Sequence, residues 1–265
     1  MLNQGAIMSD EDYLKNTDVT ALKRAEEEVR RLTSELAAAI KELEVFSYSV
    51  SHDLRAPLRA VDGFSHMVEE DYAGKLDDDG RRMLGLIRGE TQRMGRLIDD
   101  LLIFSRLGRQ PLEPVPIDMH ALAREVFDEL AALAPERKLQ LDLHPLPPAV
   151  GTLAMIRQVW ANLIGNAIKF TQGREPGEIE IGTREGEDGA PVYYVKDNGA
   201  GFDMRFAGKL FGIFQRFHGA EEFPGTGVGL ALVQRIVHRH GGGIRAEAEV
   251  NRGATFYFTL SNPRI

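Results

Sequence analysis

Cysteine is absent from all 265 residues, which rules out a disulfide scaffold, a thiolate metal site and a cysteine nucleophile. Long apolar runs are missing too. No stretch reaches the roughly 18 uninterrupted apolar residues of a membrane span, and the N-terminus lacks the basic-then-apolar order of a secretory signal. Basic excess is also lacking. With 32 Lys and Arg against 40 Asp and Glu, the net charge is −8, which argues against general nucleic-acid affinity. Internal repeats do not occur. What remains is a chain with 43% apolar residues, long enough for one large domain or two modest ones, and expected to be soluble and cytoplasmic.

After an aperiodic start over residues 1–17, Leu22, Ala25, Val29, Leu32, Leu36, Ala39, Leu43, Phe46 and Val50 follow an unbroken 3-4 alternation. Charged residues such as Lys23, Glu27, Arg30 and Glu42 fill the gaps, so the direct reading is a parallel two-stranded coiled coil. An amphipathic helix packed on its own domain is the alternative. The register then breaks. Continued by sevens it would bring Asp53 and Pro57 into the seam, while the apolar residues move to Leu54, Leu58, Val61, Phe64 and Val68. Gly74 and the run Asp77, Asp78, Asp79 mark a turn and a new helix start, with negative charge at the positive end of the helix dipole. A second amphipathic helix follows through Met83, Ile87, Met94, Leu97, Ile98, Leu101 and Phe104. Two antiparallel helices cannot bury both faces alone, so pairing two such hairpins in a homodimeric four-helix bundle is the economical solution.

Residues 108–117 hold three prolines and read as a linker. Beyond them the texture becomes mixed. Helices are expected near 118–133 (capped by Asp118), 152–170 and 227–240, with strands near 138–143, 178–184, 191–197, 243–249 and 254–260. Helices beside a mostly antiparallel sheet make an α+β sandwich.

Five clusters carry the chemistry. In SVSHDLRAPLR (49–59), His52 falls off the extrapolated seam and can face solvent. Pro57 cannot donate to the carbonyl of Asp53, and the Asp53 carboxylate can hold one imidazole nitrogen protonated so that the other keeps a lone pair for attack. In WANLIGNAIKFT (160–171), Asn162 and Asn166 are spaced i, i+4 and share one helical face, with Lys169 about a turn further on. Amide oxygens suit a hard Mg²⁺, and the lysine supplies charge for phosphates. Two solvated asparagines that happen to align explain the same spacing. In VKDNGAGF (195–202), a strand ends at Asp197, an acceptor for an exocyclic amine, and Gly199 and Gly201 let the backbone approach a flat ligand. A tight Asn-Gly turn without a ligand fits these residues as well. In FGIFQRF (211–217), Phe211, Phe214 and Phe217 recur every three residues, a core or hinge pattern. In GTGVGL (225–230), Gly225, Gly227 and Gly229 precede an apolar helix, as in a turn that offers backbone N–H groups and a helix dipole to phosphate. It is neither a P-loop nor a dinucleotide-binding turn. The segment between Phe217 and Gly225 reads as a short lid.

In this order, the five clusters resemble the boxes of the bacterial two-component sensor histidine kinases, and look closest to the transmitter modules of phytochrome-like kinases. SHDLRAPLR resembles the H box, NLIGNAIKFT the N box, DNGAGF the first glycine box, FGIFQRF the F box and GTGVGL the second glycine box. TDVTALKRAEEE resembles the signalling helix that commonly leaves a sensor domain, and the expectation is that such an upstream sensor is missing from this chain. The resemblance spans about residues 40–260.

It implies a multidomain chain: a tag or frayed segment (1–17), a coiled-coil signalling helix (18–45), a dimerisation and histidine phosphotransfer hairpin (46–107), a linker (108–117) and a catalytic ATP-binding domain (118–262). It makes His52 the phosphoacceptor and Asp53 the acid/base beside it. Asn166, with Asn162 near it, becomes the Mg²⁺ ligand, Lys169 a phosphate contact and Asp197 the adenine hook. Phe170, Gly199, Gly201 and Leu230 join the nucleotide site, Gly225, Thr226, Gly227 and Gly229 shape its phosphate end, and Thr255 lies at its adenine end. The implied substrate is ATP, and the implied partners are a second copy of the chain and a response-regulator receiver domain. Where many members carry Thr or Asn to position a water for dephosphorylation, this chain has Ala56, so the resemblance does not extend to that activity. Two other classes share the pattern: a dimeric nucleotide-binding scaffold without turnover, and an ATP hydrolase related to gyrase and chaperone domains.

Overall fold

The computed structural model describes residues 10–107, 111–186, 189–215, 222–223 and 225–261. The chain divides into two compact units, Met1–His52 and Asp53–Ile265. Helix α1 (Asp10–Asp71) accounts for the described part of the first unit. It begins twelve residues before the first seam position, Leu22, and its first eight residues lie within the segment read as frayed. Extending an existing helix fixes one residue per hydrogen bond, so the polar stretch DEDYLKNT, free of Gly and Pro, continues the helix without a hydrophobic face of its own. The seam positions Val29, Leu32 and Leu36 are exposed in the single chain, with Arg31 bracketed by Glu28 and Glu35 at 2.7 and 3.0 Å. The side chains of His52, Leu22, Ala25, Ala39, Leu43 and Phe46 lie outside the described residues.

In the second unit the rest of α1 and helix α2 (Asp78–Leu107) form the expected hairpin. Asp77 caps α2 by accepting from the Gly80 N–H at 2.8 Å, and Arg55–Asp99 (2.7 Å) and Arg88–Glu69 (2.5 Å) tie the two helices together. Phe64, Met83, Ile87 and Met94 remain exposed on this hairpin, a larger apolar surface than a lone helix pair can hide. Among the described residues no helix is long and apolar enough to cross a membrane.

The remaining elements are β1 (Val115–Ile117), α3 (Met119–Ala132), β2 (Leu139–Leu143), β3 (Ala149–Gly151), α4 (Leu153–Phe170), β4 (Gly177–Glu185), β5 (Pro191–Asp197), a 3-10 turn (Met204–Lys209), α5 (Gly229–Arg239), β6 (Ile244–Glu249) and β7 (Gly253–Phe258). Asp118 caps α3 through the Ala121 N–H. Five strands form one sheet in the order β2-β4-β5-β7-β6, parallel only between β2 and β4. Helices α3, α4 and α5 supply the facing layer. Its centre is α4, whose Trp160, Ile156, Val159 and Leu163 are fully buried; the indole meets Tyr193 and Phe258 edge-on at 6.3 and 5.2 Å. The opposite sheet face is polar, with Lys196, Tyr194 and Glu180 hydrogen-bonded in a row. The linker departs from expectation, because Val115–Ile117 pairs antiparallel with Ala149–Gly151. Three-residue strands are too short for alternation to reveal, and Pro116 reads locally as a break.

Candidate functional site

Helix α4 provides one wall of a cavity of about 250 Å³. Its helical repeat turns Asn162, Asn166 and Lys169 to the same side, away from the buried Trp160 face. The Asn162 amide donates to the Gln158 carbonyl at 2.8 Å, and Lys169 Nζ donates to Asn166 Oδ1 at 3.1 Å. Lys169 also lies 4.2 Å above the Phe170 ring, which packs against Phe223 at 5.0 Å. The C-terminus of α4 is secured by Arg137, which donates to the carbonyls of Ile168 and Thr171 at 3.1 and 2.9 Å. That contact satisfies carbonyls that a helix end leaves without partners.

Asp197 closes β5 at the cavity floor, 5% exposed. Burial pushes its carboxyl up from 3.8 to about 6, against the opposing pull of two backbone amides that donate to Oδ1, Gly199 at 2.9 Å and Ala254 at 3.3 Å. Above that value it is an ionised acceptor with few competitors. Gly199 lies behind the wall, where a Cβ would fall 2.4 Å from the Phe170 carbonyl oxygen; only glycine lets the loop pass so close to the end of α4. Gly201 lines the cavity directly.

The third wall is the turn Gly225–Gly229 with Leu230 in the first turn of α5. Gly227 has φ 76°, and its carbonyl accepts from the Phe214 N–H at 2.9 Å. Gly229 packs on α4 so closely that a Cβ would come within 2.4 Å of Asn162 Oδ1. This cavity therefore gathers Asn162, Asn166, Lys169, Phe170, Asp197, Gly201, Gly225, Thr226, Gly227, Gly229 and Leu230 from segments separated in sequence.

Thr255 is a correction. Its register partners are Lys196 and Glu247 on the polar sheet face, while its neighbours Ala254 and Phe256 line the cavity. Successive strand residues point to opposite faces, so Thr255 cannot share the side of Asp197. The alternation of ATFYF already contained that answer. Phe202, Leu210, Phe223 and Asp100 also line the cavity without having been anticipated; Asp100 had no local signal, since it arrives on α2. Of the phenylalanine triplet, Phe211 packs on the core and Phe214 is exposed. Phe217 and most of the segment read as a lid lie outside the described residues. Asp53 is exposed on α1.

Comparison with known proteins adds two domain matches. Residues 42–110 match the His Kinase A (phospho-acceptor) domain, and residues 151–264 match the histidine kinase-, DNA gyrase B-, and HSP90-like ATPase family. Cyanobacterial phytochrome B of Nostoc sp. is 37% identical over 94% of this chain and 33% of its own length. The methanogenesis regulatory histidine kinase FilI of Methanothrix harundinacea is 34% identical over 95% of this chain and 28% of its own. Among solved structures, full-length ShkA in complex with AMPPNP is similar at 27% identity and a TM-score of 0.59, over 83% of this chain and 47% of that one. The chain thus spans about a third of the length of the curated relatives it matches.

Proposed function

The chain belongs to the histidine kinases, as a transmitter module with a phospho-acceptor domain ahead of an ATPase domain, and from that premise we propose that it phosphorylates its own His52 from ATP. The phosphoryl group then passes to an aspartate of a response-regulator receiver domain. The observation that carries this reading is the convergence of two amides, an ammonium, a buried carboxylate and a glycine-rich helix start on one cavity.

Asp197, ionised at neutral pH, accepts from the exocyclic amine of adenine, and the Phe170–Phe223 pair flanks the base. The triphosphate runs toward Lys169 and the N–H groups at the start of α5. Asn166 and Asn162 would hold Mg²⁺. Their neutral oxygen donors on one helix face fit a hard cation that keeps waters and phosphate oxygens in its shell, and it supplies charge neutralisation on the transferred oxygens when bound. A His52 ring nitrogen attacks the γ-phosphorus in line. The N–P bond forms as the bond to the bridging oxygen breaks, ADP leaves, and the proton on the opposite ring nitrogen is held by Asp53.

The working form is a homodimer, supported by the exposed apolar residues Val29, Leu32 and Leu36 and by those of the hairpin. Input enters through the coiled-coil helix 18–45. Incubation with γ-labelled ATP and Mg²⁺ tests the reaction: label should be acid-labile and absent from His52→Ala. Label that survives acid, or persists in that variant, refutes phosphohistidine at this position.

A further inference from the structure

One part of the cavity wall comes from the helical hairpin. Asp100, on α2, lines the cavity and accepts a hydrogen bond from the Thr226 hydroxyl of the glycine-rich turn. The contact is not isolated. Phe104, one helical turn on, packs its ring against the Arg235 guanidinium of α5 at 4.4 Å. The Leu107 side chain is buried in the core of the α/β layer, and its carbonyl accepts from Arg239. Residues 100, 104 and 107 share one face of α2, so that face lies along α5 from its start to its last turn.

The position of the carboxylate matters more than the contact itself. The turn Gly225–Gly229 stands at the positive end of the α5 dipole, and Lys169 Nζ is within 3.3 Å of where a Cβ on Gly225 would be. An anion is favoured there, and Asp100 supplies one from within the chain.

We propose that Asp100 is an internal competitor for the phosphate end of the nucleotide site. Its carboxylate and the phosphates of a nucleotide seek the same turn, so phosphate entry displaces α2 from α5, and α2 docking weakens nucleotide binding. By reciprocity of coupled equilibria, the factor by which docking lowers affinity equals the factor by which nucleotide loosens the dock. Filling the site is thereby linked to releasing the helical hairpin from the nucleotide domain. The inference rests on the nucleotide reading above.

Calorimetric titration of the full chain with a non-hydrolysable ATP analogue, and separately with adenosine, tests it. Asp100→Asn keeps an oxygen for Thr226 and removes the charge, whereas Asp100→Ala removes both. Two like charges about 4 Å apart, even when screened as fully as in bulk water, predict at least about fivefold tighter analogue binding in both variants at low salt. The gain should shrink at about 0.5 M salt, and adenosine, without phosphates, should bind all three proteins alike. Unchanged analogue affinity, or equal tightening for adenosine, overturns the proposal. Weaker analogue binding overturns it too, since it would make Asp100 a ligand of the nucleotide's cation. A wild type that binds neither probe defeats the nucleotide reading itself, whereas binding without a phosphate-dependent difference defeats only this inference.

Discussion

Replacing Asp197 by asparagine should stabilise the nucleotide-free domain at neutral pH while weakening its hold on adenine. Burial raises the carboxyl from 3.8 to about 6, and each pH unit corresponds to about 1.36 kcal/mol, so keeping it ionised costs about 3 kcal/mol. The sign follows from proton uptake. Above about pH 6 the group is charged in both folded and unfolded chains, and the burial penalty opposes folding in full. Between about 6 and 3.8 the folded state takes up a proton that the unfolded state does not, so this contribution to stability rises as pH falls. Asparagine removes the penalty and keeps Oδ1 for the Gly199 and Ala254 N–H groups, but a neutral oxygen accepts both more weakly than a carboxylate does, which returns about 1–2 kcal/mol. The net gain at pH 7.5 is then about 1–2 kcal/mol, vanishing near pH 5. Urea denaturation followed by fluorescence is well suited to it, because Trp160 is the chain's one tryptophan and is fully buried beside Tyr193 and Phe258. Nucleotide affinity should fall by about tenfold with the loss of an ionised acceptor. A variant less stable at pH 7.5, or one whose advantage persists unchanged at pH 5, would contradict the assignment of burial as the cause.

Gly229→Ala should displace α5 from α4, since the new methyl meets Asn162 Oδ1 at 2.4 Å; nucleotide affinity is expected to drop at least about tenfold, and pairing it with Asn162→Ala should recover the melting temperature but not the affinity. Titration and thermal melts separate the two effects, and a single variant with unaltered binding would count against the close packing. Replacing both Leu32 and Leu36 by glutamate puts charge into the apolar seam and should shift the chain toward monomer in sedimentation at micromolar concentration; an unmoved dimer population would mean that those residues do not face a partner.

Several features were legible from order alone because their geometry is local. An i, i+4 pair on a helix shares a face whatever the surroundings, so Asn162 and Asn166 could be placed together before their cavity was known. The break in the heptad at Asp53, the Asp118 cap and the long strands needed no distant partner to be read. Contacts between distant segments left no such trace. The strand Val115–Ile117 exists because Ala149–Gly151 comes alongside, and neither carries a pattern of its own. Thr255 belongs to the polar face because β7 is held in register with β5 and β6, which outweighs its kinship with family threonines. Asp100 reaches the glycine-rich turn only because α2 packs along α5. The order of residues thus determined which groups were available for nucleotide chemistry and which elements carry them. Tertiary packing decided which of them meet, because side chains far apart in the chain are brought together by burial of apolar faces, a property of the whole fold and not of any segment.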